Sequence, residues 1–254
     1  VLGECMKKIV TFAVTAIISI PALLFPQSAK DIIEKSESAI RGNTSKSTVA
    51  ITIKTRRWER TLKLVSYDNR LKRMSFAEIL APKKDAGNRF LLIKDNMWHY
   101  VPKLQQTIKI APSMMLQSWM GSDFTNDDIV KQSSLIDDYS HTLEGKEIID
   151  GVECFKVVLV PKPQAAVVWG KIVYYASTSE LLPVREEFYN EHNQMTKLLT
   201  CSNVKMIGGR KIPTVYMMQT IAEPDRYTKM EILDIEFDIE LPSNIFSFQN
   251  LQRK

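Results

Sequence analysis

From residue 47 onward the chain alternates apolar and polar positions in short runs. S-T-V-A-I-T-I-K-T (47–55), R-T-L-K-L-V-S-Y (60–67), L-K-R-M-S-F-A-E-I-L (71–80) and R-F-L-L-I-K (89–94) are rich in β-branched and aromatic residues. That pattern predicts strands with one buried face. Similar runs follow at 97–102, 106–110, 141–149, 152–160, 169–175, 183–189, 195–201, 211–219 and 229–237. Asp68-Asn69, Asp95-Asn96, Asp150-Gly151 and Gly208-Gly209 tolerate positive φ and predict tight hairpins between them. Turn signals at this spacing predict an antiparallel meander rather than β-α-β units.

Two segments depart from the alternation. In 30–41, Ile32, Ile33 and Ile40 fall near one side of a helix, and Gly42-Asn43 supplies its stop. In 112–138 the pattern breaks into one or two helices. A long flat sheet leaves open edges and an uncovered apolar face, so the sheet must curl. The expected fold is mostly β: a curled antiparallel sheet of about 11 strands, an incomplete or half β-barrel, with an N-terminal helix and a helical lid insert. The concavity of such a half-barrel exceeds what side chains fill and predicts an apolar ligand cavity.

Ahead of this domain, Lys7 and Lys8 precede 21 uncharged residues that end in small side chains before Lys30. Pro21 and Pro26 break the apolar stretch where a cleavage region begins, so residues 1–29 read as upstream residues plus a cleaved signal peptide, and 30–254 as a single domain. Cys5 lies before the apolar stretch, so it is not a lipid-modified cysteine at a cleavage boundary. The segment predicts export, with the leader removed.

Composition narrows the chemistry. Of 254 residues, 44% are apolar and 25% charged, which fits a globular chain with a sizeable core. Nine glycines leave few places for a phosphate-binding loop, and none matches a nucleotide-binding spacing. Without residues 1–29 the net charge is +4, spread as K-x-K and R-R pairs rather than as a block, and no nucleic-acid motif is present. His99, His141 and His192 form no metal-ligand spacing, and Ser118 lacks the first glycine of a nucleophile elbow. His99 reads as a packed or rim residue and His192 as a hairpin turn. Asp123, Asp127, Asp128, Asp137 and Asp138 form an acidic cluster without the calcium-loop spacing. They read as helix capping: Asp123 or Thr125 at an N-terminus, with Asp127 and Asp128 in the first turn. The expectation is no metal and no cofactor. Cys154 and Cys201 fall inside predicted strands, where a disulfide requires neighbouring strands.

Met114, Met115, Leu116, Trp119, Met120 and Phe124 concentrate adaptable apolar side chains in the insert. Two readings stand: a core-facing helix, or a lid whose six side chains line the ligand cavity, with Gly121 as the hinge between two short helical pieces.

Four motifs carry a family resemblance: M-W-H-Y-V-P-K (97–103), S-W-M-G-S-D-F-T-N-D-D (118–128), G-K-E-I-I-D-G-V-E-C-F-K-V (145–157) and E-E-F-Y-N-E-H-N-Q-M-T-K (186–197). With the ending D-I-E-L-P-S-N-I-F-S-F (238–248), they resemble LolA-like outer-membrane lipoprotein-sorting proteins over about residues 30–254. The resemblance implies a half-barrel with a helical lid, a periplasmic carrier that shields acyl chains of lipoproteins, phospholipids or other lipids, and no catalysis. An inner-membrane transporter as donor and an outer-membrane acceptor are implied partners. Two other readings stay open: a periplasmic sensor or scaffold that binds an envelope protein, and an exported hydrolase.

Overall fold

The computed structural model describes residues 28–131, 135–165 and 167–253. The signal-peptide reading of residues 1–29 falls almost wholly outside them. Helix α1 (Ala29–Arg41) opens the domain. Ser28 caps it reciprocally: its Oγ accepts from the Asp31 amide at 3.0 Å, and Asp31 Oδ2 accepts from the Ser28 amide at 3.3 Å. Ile32 and Ile33 are fully buried beneath it.

Thirteen strands follow: β1 (Thr44–Lys54), β2 (Glu59–Asn69), β3 (Met74–Ala81), β4 (Arg89–Ile93), β5 (Asn96–Val101), β6 (Gln106–Lys109), β7 (Tyr139–Ile149), β8 (Val152–Pro161), β9 (Lys171–Ser177), β10 (Pro183–Tyr189), β11 (Met195–Ile207), β12 (Arg210–Thr220) and β13 (Tyr227–Phe237). Each alternating run of the sequence overlaps one of them, so the expected count of about eleven is low by two.

All thirteen belong to one sheet in the order β6-β5-β4-β3-β2-β1-β13-β12-β11-β10-β9-β8-β7. Every pairing is antiparallel. The sheet is thus not one meander but two, one of β1–β6 and one of β7–β13. They are joined where the first strand meets the last, with Ile51 opposite Met230. A bulge between Thr48 and Val49 lies at this seam, a feature that increases local twist. The edges β6 and β7 are consecutive in the chain but do not pair, so the sheet stops short of a closed barrel. The insert between them crosses from one edge to the other.

The insert is less helical than its composition predicts. It holds two single 3₁₀ turns, Pro112–Met114 and Trp119–Gly121, and one short helix, α2 (Asn126–Lys131). Pro112 begins the first turn, and positive φ at Met120 (53°) and Gly121 (79°) stops the second from propagating. A bridge between Ser118 and Thr125 closes the loop around that pair.

Two apolar clusters occupy the concave side. One joins Ile32 and Ile33 of α1 to Val157, Leu159, Ile172 and Tyr174. The other joins Val49, Ile51, Leu62, Leu64 and Phe90 to Trp119 of the insert. On the opposite face, the C-terminal segment and α3 (Phe248–Leu251) cover Phe76 and Leu91 with Ile245 and Leu251.

Candidate ligand cavity

Between the two concave clusters lies a cavity of about 300 Å³, at the lower end of the range for ligand pockets. Strands from both ends of the sheet line it: Val49, Ile51 and Leu64 from β1 and β2, Phe90 and Leu92 from β4, Ile172 and Phe188 from β9 and β10, Leu199 and Met218 from β11 and β12. Strands eight or more places apart in the sheet order can share one cavity only if the sheet curls. Helix α1 covers the β7–β12 half and the insert covers the β1–β5 half.

The insert is latched down by charge-assisted hydrogen bonds. Asp123, buried to 4% exposure, accepts from Thr228 Oγ1 at 2.7 Å and Thr220 Oγ1 at 3.0 Å, and pairs with Arg226 Nε at 2.8 Å. Lys197 Nζ on β11 lies 2.9 Å from Asp128 Oδ2, and Trp169 Nε1 donates to Asp128 Oδ1 at 3.0 Å. From β2, Arg60 donates to the Met120 carbonyl. Thr125 is the residue that caps α2: its Oγ1 accepts from the Asp128 amide at 3.1 Å, and Asp128 Oδ2 accepts from the Thr125 amide at 2.7 Å. Asp123 instead ties the insert to β12 and β13.

The six insert residues separate. Trp119 is 5% exposed, sits in the second cluster 5.3 Å from the Phe90 ring, and lines the cavity. Phe124 also lines the cavity and packs against the first cluster. Met114, Met115 and Met120 pack against the second cluster without reaching the lining. Leu116 corrects the expectation that all six face the sheet, because it is 65% exposed. Gly121 forms a left-handed pair with Met120 inside the Ser118–Thr125 loop rather than joining two helices.

Several lining residues escape the sequence reading, two of them glutamates. Glu186 on β10 and Glu37 on α1 bring carboxyl groups to a largely apolar wall. Burial pushes the Glu186 carboxyl up to about 8, with Glu37 and Asp128 adding to the effect. Burial also raises Glu37, against the pull of Arg41 and Arg70. The available signal is strand parity: Glu186 shares a face with Phe188, whereas Glu187 faces away to accept from Tyr189 Oη at 2.8 Å.

The remaining titratable candidates hold structural positions. His99 stacks on Phe90 at 4.3 Å, lies 2.8 Å from Asn88 Oδ1, and is pushed down to about 4 by burial. His141 Nε2 lies 2.7 Å from the Leu135 carbonyl, and His192 sits exposed in the β10–β11 turn. Cys154 and Cys201 are free thiols on β8 and β11, with two strands between them, about 14 Å at the usual strand spacing. That exceeds the reach of a disulfide. Among the described residues no group of three His, Cys, Asp or Glu side chains could hold a metal ion.

Solved structures share this fold. A DUF1329 family protein from Desulfovibrio piger matches with a TM-score of 0.81 and 22% identity over 88% of this chain and 97% of its own. A putative outer membrane lipoprotein-sorting protein domain from Vibrio parahaemolyticus matches with a TM-score of 0.76 and 21% identity, covering 89% and 98%. A LolA superfamily protein from Nitrosomonas europaea matches with a TM-score of 0.74 and 21% identity, covering 87% and 98%. The resemblance read from the motifs therefore holds at the level of the fold. No curated protein matches the chain. A family model described as "-like: Uncharacterized protein" matches residues 72–253, most of the domain, and the chain belongs to that family.

Proposed function

We propose that the chain is a periplasmic carrier that shelters the acyl chain of a lipoprotein or another lipid inside the curled sheet and helps deliver it to the outer membrane. The observation that carries this reading is the apolar cavity, walled by strands from both ends of the sheet and roofed by α1 and the insert. Burial of apolar surface drives such binding at about 0.8 kcal/mol per CH₂, and ordering costs leave an affinity that permits release. The fold shared with a lipoprotein-sorting domain and a LolA superfamily protein supports the same reading. The role is binding rather than catalysis. Of the six apolar insert residues, Trp119 and Phe124 would meet the chain, while Met114, Met115 and Met120 would back them.

The test is displacement of a neutral fluorescent acyl ester by unlabelled lipid. Saturable binding that is weakened when Leu64 or Leu199 is enlarged to Trp supports the carrier. Absence of binding contradicts it, and a stoichiometric envelope-protein partner whose capture ignores those cavity variants favours the scaffold reading.

A further inference from the structure

The polar equipment of the cavity is lopsided. Among the described residues, five carboxyl side chains, those of Glu37, Asp68, Asp127, Asp128 and Glu186, reach its lining, against one cation, Arg41. Arg41 is already committed: its Nη2 donates to both oxygens of Asp68, at 2.8 and 2.9 Å, and its Nη1 lies 3.8 Å from Glu37. Asp128 holds Lys197 and Trp169. Glu186 differs, because it has no hydrogen-bond or ion-pair partner among the described residues.

Its surroundings are defined on every side. Across the sheet it stands opposite Tyr174 on β9 and Leu199 on β11. Tyr174 Oη lies 2.7 Å from Ser36 Oγ on α1. The charged or titratable groups that face it are Glu37 from α1 and Asp128 from α2, Cys201 from β11, Tyr174 from β9 and Tyr216 from β12. None of these supplies a positive charge, and the cation on the same face of β11, Lys197 opposite Phe188, is held by Asp128 at 2.9 Å. A carboxyl group placed in an apolar wall without a partner is costly, and a ligand that donates to it removes that cost.

Resting on the carrier reading of this cavity, we propose that Glu186 is its polar anchor and selects chains ending in a protonated amine over chains ending in a carboxylate or phosphate. The ammonium N–H donates to Glu186, which gives up its own proton to solvent as the amine docks. An anionic end group would instead meet the carboxyl groups of Glu186 and Glu37, with Arg41 already held by Asp68 and Lys197 by Asp128. Because the Glu186 carboxyl is held protonated near neutral pH, docking releases close to one proton.

Dodecylamine, dodecanoate and methyl dodecanoate, competing against the neutral fluorescent ester, test this near neutral pH. The amine should bind about tenfold or more tightly than the carboxylate, the ratio expected for one charge-assisted hydrogen bond. In Glu186→Gln, with a normal melt, the affinity of the amine relative to that of the methyl ester should fall about tenfold. Calorimetry in buffers of different ionisation enthalpy should find the proton release in the wild type alone. Equal binding of amine and carboxylate, or an advantage that survives in E186Q, overturns the proposal and leaves the carrier intact. Failure of all three ligands to bind overturns both.

Discussion

The ammonium of Lys197 lies 2.9 Å from Asp128 Oδ2, with side-chain exposures of 11% and 6%. The same ammonium sits 5.3 Å from the Trp169 ring centre, and the indole N–H of that tryptophan donates to the other oxygen of Asp128. Three segments distant in sequence meet at one carboxylate, which fastens the insert over the cavity. Removing one partner of a buried pair leaves the other without compensation. Lys197→Met is therefore expected to lose about 3 kcal/mol in urea denaturation, and to quicken proteolysis within 110–131. A loss below about 0.5 kcal/mol would make the latch an ordinary surface pair.

Trp119 and Leu116 are three residues apart and predict opposite outcomes. Trp119→Ala empties the cluster around Phe90 and is expected to cost about 3–5 kcal/mol. The buried Trp119 Nε1 has no hydrogen-bond partner, so Trp119→Phe is expected to cost under about 1 kcal/mol. Leu116→Ala, at an exposed site, is expected within about 0.5 kcal/mol of the parent. Chemical denaturation of the three variants checks the order.

How much of this was legible in the sequence depends on whether the signal is local. Strand alternation and the Ile32-Ile33 face of α1 are local patterns, and they reappear as strands and as a buried helix face. The pairing of β1 with β13 joins residues nearly two hundred positions apart, and no local pattern encodes it. In the insert, Met and Trp at helical spacing suggested helices, but Pro112 and the left-handed Met120-Gly121 pair divide it into single turns. Leu116, between the two turns, is exposed. Glu186 was hidden because Glu186-Glu187 reads as an ordinary polar pair until parity with Phe188 assigns the first to the inside.

The Glu186 carboxyl gives stability a pH dependence of definite sign. Below about pH 4.5 it is protonated in both folded and unfolded chains. Between there and about 8 the unfolded chain ionises while the folded one stays protonated, so this group makes the fold progressively less stable as pH rises. Glu186→Gln should melt near the parent at the acid end of that window and several degrees above it at the alkaline end. Parallel melting curves across the window would contradict the assignment.

His99 acts in the opposite sense. Its folded value of about 4 lies below the usual 6.5, so its contribution is complete above 6.5 and is lost as pH falls toward 4. His99→Gln should remove that part of the acid destabilisation, read as a shallower fall of the melting temperature over the same interval. An unchanged slope would mean that burial does not set the histidine's ionisation.

The central claim is that the curled sheet carries a lipid chain in its cavity. Native mass spectrometry of the protein purified from the envelope, without added ligand, tests this most directly. The account predicts a bound mass corresponding to one acyl-bearing molecule, lost on delipidation and reduced in a variant with Leu199 enlarged to Trp, which lines the cavity. A protein that is consistently empty, or a bound mass equally abundant in that variant, would contradict it.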